Sequence, residues 1–145
     1  MRAIIQRVNY ATLSVEGKEI SKINKGYMIL LGVGVNDTEK EAKYIADKIV
    51  KLRVFEDVNG KMNLSASQVG GEFLLVSNFT LYGNTKGTNR PDFINSARPE
   101  KAEPLYEMVA NLLNQSIPTK TGVFGADMKI DMQADGPVTI IIDTD

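Results

Sequence analysis

The stretch Tyr27–Leu52, YMILLGVGVNDTEKEAKYIADKIVKL, changes its hydrophobic period in the middle and decides the fold class. Tyr27 to Val35 is apolar almost throughout, broken only by glycines, as suits a strand buried on both faces. Asn36-Asp37-Thr38 then supplies helix-start side chains, and Glu41 stands three residues after Thr38, the spacing of a capping box. Ala42, Ile45, Ala46, Ile49 and Leu52 follow at intervals of three and four, one apolar stripe on a helix of about four turns. A buried strand that feeds an amphipathic helix implies helices packed on a sheet.

Working outward, residues 2–15 alternate and are rich in Ile, Val, Thr and Tyr, a strand pattern. Glu16-Gly17-Lys18 reads as a turn into a second strand through Ile20 and Ile23. Asn59-Gly60 signals a tight turn. Glu72 to Leu81 reads as another central strand, which carries Ser77, Asn78, Phe79 and Thr80 at its C-terminal end. Thr85 to Arg98 is polar, with glycine and proline, and reads as a loop. A second helix starts near Pro99, a favourable first position, and buries Ala102, Leu105, Val109, Leu112 and Leu113. Asp127–Met132 and Val138–Asp143 read as paired strands joined through Gln133-Ala134-Asp135-Gly136-Pro137. No repeat, low-complexity tract or linker divides the chain. Residues 1–145 are therefore expected to form a single α+β domain, a mostly antiparallel or mixed, barrel-like sheet with two main helices.

Composition narrows the function. At 43% hydrophobic and 24% charged, the chain has the make-up of an ordinary globular protein. It has no run of about 18 apolar residues, and its first seven residues do not read as a signal peptide, so a cytoplasmic location is the default. With no cysteine there is no disulfide, thiolate nucleophile or cysteine-based zinc site. With no histidine the usual base near neutral pH is missing, and with it the common serine triad. A net charge of −1 gives no overall pull toward nucleic acid, so any RNA would have to be met by a local basic patch.

Each candidate motif has a plain reading beside a chemical one. In Ser77-Asn78-Phe79-Thr80-Leu81 the hydroxyls could meet a ligand and the main-chain N–H groups a developing oxyanion. From spacing alone they are ordinary strand residues. Asp135-Gly136-Pro137 is common turn punctuation. Arg7, within Ile4-Ile5-Gln6-Arg7-Val8, is by default on the solvent face; otherwise its fork of donors anchors a buried carbonyl or carboxylate. Arg90 and Arg98, with Lys86 and Lys101 nearby, could meet phosphate, or simply belong to a solvated loop.

Taken in order, MRAIIQRV, GYMILLGVGVNDTE, KIVKLRVFED, GKMNLS, LLVSNFTLYG, NRPDF, GVFGADM and GPVT resemble the D-aminoacyl-tRNA deacylases over essentially the whole chain. That family's signatures are a Ser-Gln-Phe-Thr-Leu strand end and a Gly-Pro-Val-Thr loop; here they are Ser77–Leu81 and Gly136–Thr139. The resemblance implies hydrolysis of the ester between a D-amino acid, or glycine, and the 3′-terminal adenosine of tRNA, without cofactor or metal. It implies a homodimer with the site at the interface, where a cis Gly136–Pro137 peptide from one subunit enters the other's pocket and crowds out L side chains. It assigns catalysis to Ser77, Asn78, Phe79 and Thr80, the bracing of the loop to Arg7, and substrate contact to Met128. An aminoacyl ester is already activated, so positioning and oxyanion stabilisation suffice without a strong base. Thr80 as nucleophile would need a base to activate it. The expectation is instead that the substrate's 2′-hydroxyl helps activate water while main-chain groups at 77–79 hold the carbonyl. Asn78 stands where the family has glutamine, and roles of the N–H groups at 78 and 79 are expected to survive that change.

Overall fold

Alternation along the N-terminal segment produces β1, Arg2–Val15, in which Ala3 and Ile5, then Ala11 and Leu13, are buried. A two-residue turn, Glu16 and Gly17 at φ 51° and 77°, reverses the chain into β2, Lys18–Ile23, and on into β3, Gly26–Gly32. The computed structural model describes all of residues 1–145, and the α+β reading holds. Helix α1, Glu39–Lys51, follows, with the complete capping box between Thr38 and Glu41. Next come a hairpin of β4, Arg53–Glu56, and β5, Met62–Ser65, around the Asn59-Gly60 turn, and then β6, Glu72–Ser77. Helix α2, Pro99–Asn114, the short β7, Thr119–Thr121, and the long β8, Lys129–Asp143, complete the chain.

The main sheet is mixed. β1 pairs antiparallel with β2, β3 and β8, whereas β3–β6 and β6–β7 are parallel, their crossovers carrying α1 and α2. Strand alternation then sorts the core. Tyr27, Ile29, Leu31, Phe73 and Leu75 face the helices and join Ile45, Ile49, Val109 and Leu113 in a cluster of 24 buried residues. Phe55, Tyr27 and Phe73 stack there, with centroids 5.4 and 5.1 Å apart. Met28, Leu74 and Val76 point the other way, into a cluster of seven with Val8, Ala11, Leu13 and Ile23. Beneath the start of α1, the Met1 ammonium donates to Asp37 Oδ1 at 2.6 Å, and Asp37 Oδ2 accepts from Gly34 N–H.

Four expectations need correction. β3 ends at Gly32, because Gly34 and Val35 turn to pair with Ser96 and Asn95. β6 ends at Ser77, and Phe79–Tyr82 form a 3-10 turn. Leu112 is only partly buried on α2, whose buried face includes Tyr106 instead. Finally, 127–132 and 138–143 are not a hairpin. They belong to the single strand β8, whose two halves both pair with β1, which is long enough to take both. Between the pairs Gln6↔Thr139 and Val8↔Ala134, residues 135–138 stand opposite Arg7 alone, so the supposed turn is a bulge. Gly136–Pro137 is its cis peptide, and Pro137 has no N–H to leave unpaired.

Candidate active site

The last rung of β6 decides the local chemistry. Asn78 N–H donates to Leu31 carbonyl O at 2.8 Å, so it is spent on the sheet and is not available to a ligand as expected. The Asn78 side chain then competes with the ladder, as short amides do at turns. Its Oδ1 accepts Thr80 N–H at 3.2 Å and also the Thr80 hydroxyl. A main-chain N–H can only donate, so this contact fixes which amide atom is the oxygen. Leu81 N–H to Asn78 O and Gly83 N–H to Thr80 O close the 3-10 turn. Phe79 N–H, first in that turn, has no acceptor within the turn.

Beside this turn lies an open cavity of about 650 Å³, within the range of small-molecule sites. Ser77, Asn78 and Phe79 line one part of it, and Leu30 and Val76 floor it. Phe93, Ser96, Ala97 and Arg98 come from the loop before α2 and Pro99 from its first position, while Phe124 and Met128 come from the segment before β8. Phe79 is 57% exposed and packs edge-on to Phe93 at 5.0 Å. Phe124 leans on Tyr106, whose hydroxyl donates to Leu75 carbonyl O at 2.9 Å. Burial pushes that phenol up to about 12, so it is a neutral post and not a base. Gly122 lets Met128 settle close, since a Cβ there would lie 2.5 Å from the Met128 sulfur. Arg98 is the one charged residue of the lining.

Of the residues singled out from sequence, Ser77, Asn78, Phe79 and Met128 therefore meet in one cavity. Thr80 does not line it, and its hydroxyl already donates to an amide oxygen that cannot take a proton onward. Gly136, Pro137 and Arg7 are also outside it. They lie across the sheet: from β8 to β6 there are three strand spacings, roughly 14 Å, and from the Arg7–Tyr27–Phe73 level to Ser77 four residues, roughly 13 Å.

Arg7 corrects its default reading. It is 3% exposed, in the strand interior and not on the solvent face. Nη1 donates to Val54 carbonyl O at 2.7 Å, and Nη2 lies 3.4 Å from Glu56 Oε1. Nε is 3.3 Å from the carbonyl O of Asp135 and 3.2 Å from its carboxylate. The guanidinium also covers the Phe55 ring. One side chain thus ties the bulge to the β4–β5 hairpin.

Sequence reasoning passed over Phe93, Phe124, Ala97 and Ala102 as parts of the cavity wall. An aromatic in the otherwise polar 85–98 loop was the available signal for Phe93.

The chain is similar to known proteins over nearly its whole length. A solved structure described as c-Myc DNA unwinding element binding protein is 40% identical and covers 100% of this chain and 99% of its own, with a TM-score of 0.94. Another, described as a probable eukaryotic D-amino acid tRNA deacylase, shares the fold at a TM-score of 0.85 and 15% identity, covering 97% of each chain. Curated D-aminoacyl-tRNA deacylases from Desulfatibacillum aliphaticivorans and Thermosipho melanesiensis are 52% and 50% identical, over 99% of this chain and 99% and 97% of theirs. The family model for D-Tyr-tRNA(Tyr) deacylase matches residues 4–143, and by that match and those full-length relatives the chain belongs to the D-Tyr-tRNA(Tyr) deacylase family.

Proposed function

We propose that this chain hydrolyses the ester joining a D-amino acid to the 3′-terminal adenosine of tRNA, releasing both, and so clears misacylated tRNA in the cytoplasm. The observation that carries this reading is the mostly apolar cavity lined by Phe79, whose N–H takes no partner in its own turn, while the Thr80 hydroxyl is spent. Such a site suits a substrate that needs an oxyanion donor and exclusion of bulk water more than a strong base. The ester carbonyl sits at Phe79 N–H beside Ser77, and Met128 packs on the aminoacyl group. Water is activated with help from the substrate's own 2′-hydroxyl. No metal or cofactor takes part.

The chain acts as a homodimer in this reading. Gly136–Pro137 cannot reach the cavity of its own chain, but β8 is an edge strand that exposes Met132 and Ile141, a surface on which a second copy could present the bulge. Main-chain atoms of the partner's bulge then crowd the side where an L side chain would point. Glycine has nothing to be rejected and is hydrolysed as well. Arg7 holds the bulge in place.

Deacylation of D-Tyr-tRNA, Gly-tRNA and L-Tyr-tRNA tests the reading. Release from the first two, with L-Tyr-tRNA slower by at least about a hundredfold, is expected from steric exclusion combined with unpaired polar groups. Equal rates for D and L would refute the selectivity, and no release from any substrate would leave a binding module. A tRNA ending in 2′-deoxyadenosine is expected to turn over poorly; normal turnover would remove the role of the 2′-hydroxyl.

A further inference from the structure

We propose that Arg98 is a positioning residue that receives the 5′-phosphate of the terminal nucleotide at the mouth of the cavity, an inference that rests on the substrate reading above. Among the residues lining a mostly apolar cavity, it alone carries charge, and its side chain is 87% exposed, which places the guanidinium at the rim. Its acidic neighbour is Glu100, 3.8 Å away and itself 77% exposed, an ion pair too long and too solvated to claim the fork. The other basic residues considered for phosphate are placed differently. Lys86 and Arg90 do not line the cavity, and Lys101 Nζ donates to the Val35 carbonyl.

Register supplies the reach. Asn78 N–H bonds Leu31 O and Ala97 N–H bonds Val33 O, so these two segments follow one another along the same edge of the chain that continues β3. Two residues separate the acceptors, roughly 7 Å. Phe79 follows the first segment and Arg98 the second, so one nucleoside can bridge them, ester toward Phe79 and 5′ end toward Arg98. A planar guanidinium binds phosphate oxygens in pairs, which fixes direction as well as adding affinity.

The test uses adenosine carrying D-tyrosine through a non-hydrolysable 3′-amide, made with and without a 5′-phosphate. For the wild-type chain at low salt, the phosphate is expected to tighten Kd about fivefold, the scale of a charge-assisted contact in a solvated setting. Arg98→Ala should abolish that gain, leave the unphosphorylated amide within about twofold, and leave the melting temperature unchanged, since the side chain is exposed. The slope of log Kd against log salt for the phosphorylated probe should fall by about 0.7. With D-Tyr-tRNA, KM should rise by about the same fivefold and kcat stay within about twofold. If Arg98→Ala weakens both probes equally, the residue only shapes the wall and the proposal fails. If the phosphate gain survives the substitution, another group holds it and the proposal also fails. If the wild-type chain binds neither probe, the substrate reading itself falls and this inference with it, a result distinct from the other two.

Discussion

Ser77–Leu81 and Gly136–Thr139 are both interruptions of a strand, yet they work in opposite ways. At the first, β6 ends because a side chain, Asn78, caps a short turn and ties up the hydroxyl that looks reactive. What lines the cavity there is Ser77, Asn78 and Phe79, and in the proposed reading the Phe79 N–H is what serves the ester. At the second, β8 does not end; it bulges and resumes, held by a buried arginine that spans three segments. The first region is a cradle with nothing crossing over it, and the second is a braced projection with no cavity of its own. The contrast suggests that binding and selection are built on separate elements, so each can be damaged without the other.

The largest effect should come from Arg7→Ala. It strands the Val54 and Asp135 carbonyls and leaves the Glu56 and Asp135 carboxylates without a partner, for a loss of about 3 kcal/mol in urea unfolding. Where the variant still folds, discrimination against L-Tyr-tRNA should fall more than the rate on D-Tyr-tRNA; an equal fall in both would break the separation. Gly136→Ala comes next. Gly136 sits at φ 119°, and an added Cβ would lie 2.9 Å from Val138 and 3.2 Å from Arg7, so a cost of about 1–3 kcal/mol and the same loss of discrimination are expected. Asn78→Ala removes the turn's cap and should cost about 1 kcal/mol while lowering the D-Tyr-tRNA rate and sparing discrimination, the mirror image of the Arg7 result.

The smallest effect lies away from both regions. The hydroxyl and N–H of Thr38 hold the Glu41 carboxyl below its usual range. A depressed folded value means that the contribution is present above the unfolded carboxyl range and is lost as pH falls through the folded one. Stability of the wild-type chain should therefore drop slightly more than that of Glu41→Gln as pH is lowered through the acidic range, read by paired thermal melts.

Much of this was legible in the sequence because local chemistry and global fold agree there. The Thr38–Glu41 box, the α1 stripe and the proline at the start of α2 each name their element, and the structure places them as read except for Leu52, which lies just past the end of α1. The errors share one cause, which is that local pattern is blind to the partner strand. Ala134-Asp135-Gly136-Pro137 has turn residues, but β1 is long enough to pair with both flanks, so the chain continues straight on. Arg7 falls on the same strand face as the buried Ala3 and Ile5, and only its charge pointed to solvent; the β4–β5 hairpin that covers it is invisible to local pattern. Asn78 keeps its rung on β3 while its side chain ends the strand, a dual use that spacing cannot show. The cavity walls at Phe93 and Phe124 come from loops whose proximity is set only by the pairing of residues 95–97 with the end of β3 and by the packing of Phe124 on Tyr106.

The central claim is that main chain and not a hydroxyl nucleophile serves the ester, and single-turnover deacylation of D-Tyr-tRNA by Thr80→Ala tests it most directly. With the hydroxyl already given to Asn78, the variant should keep its rate to within about tenfold, the loss reflecting a looser turn. A folded Thr80→Ala chain slower by about a thousandfold or more, the scale of a lost covalent catalyst, would contradict the account.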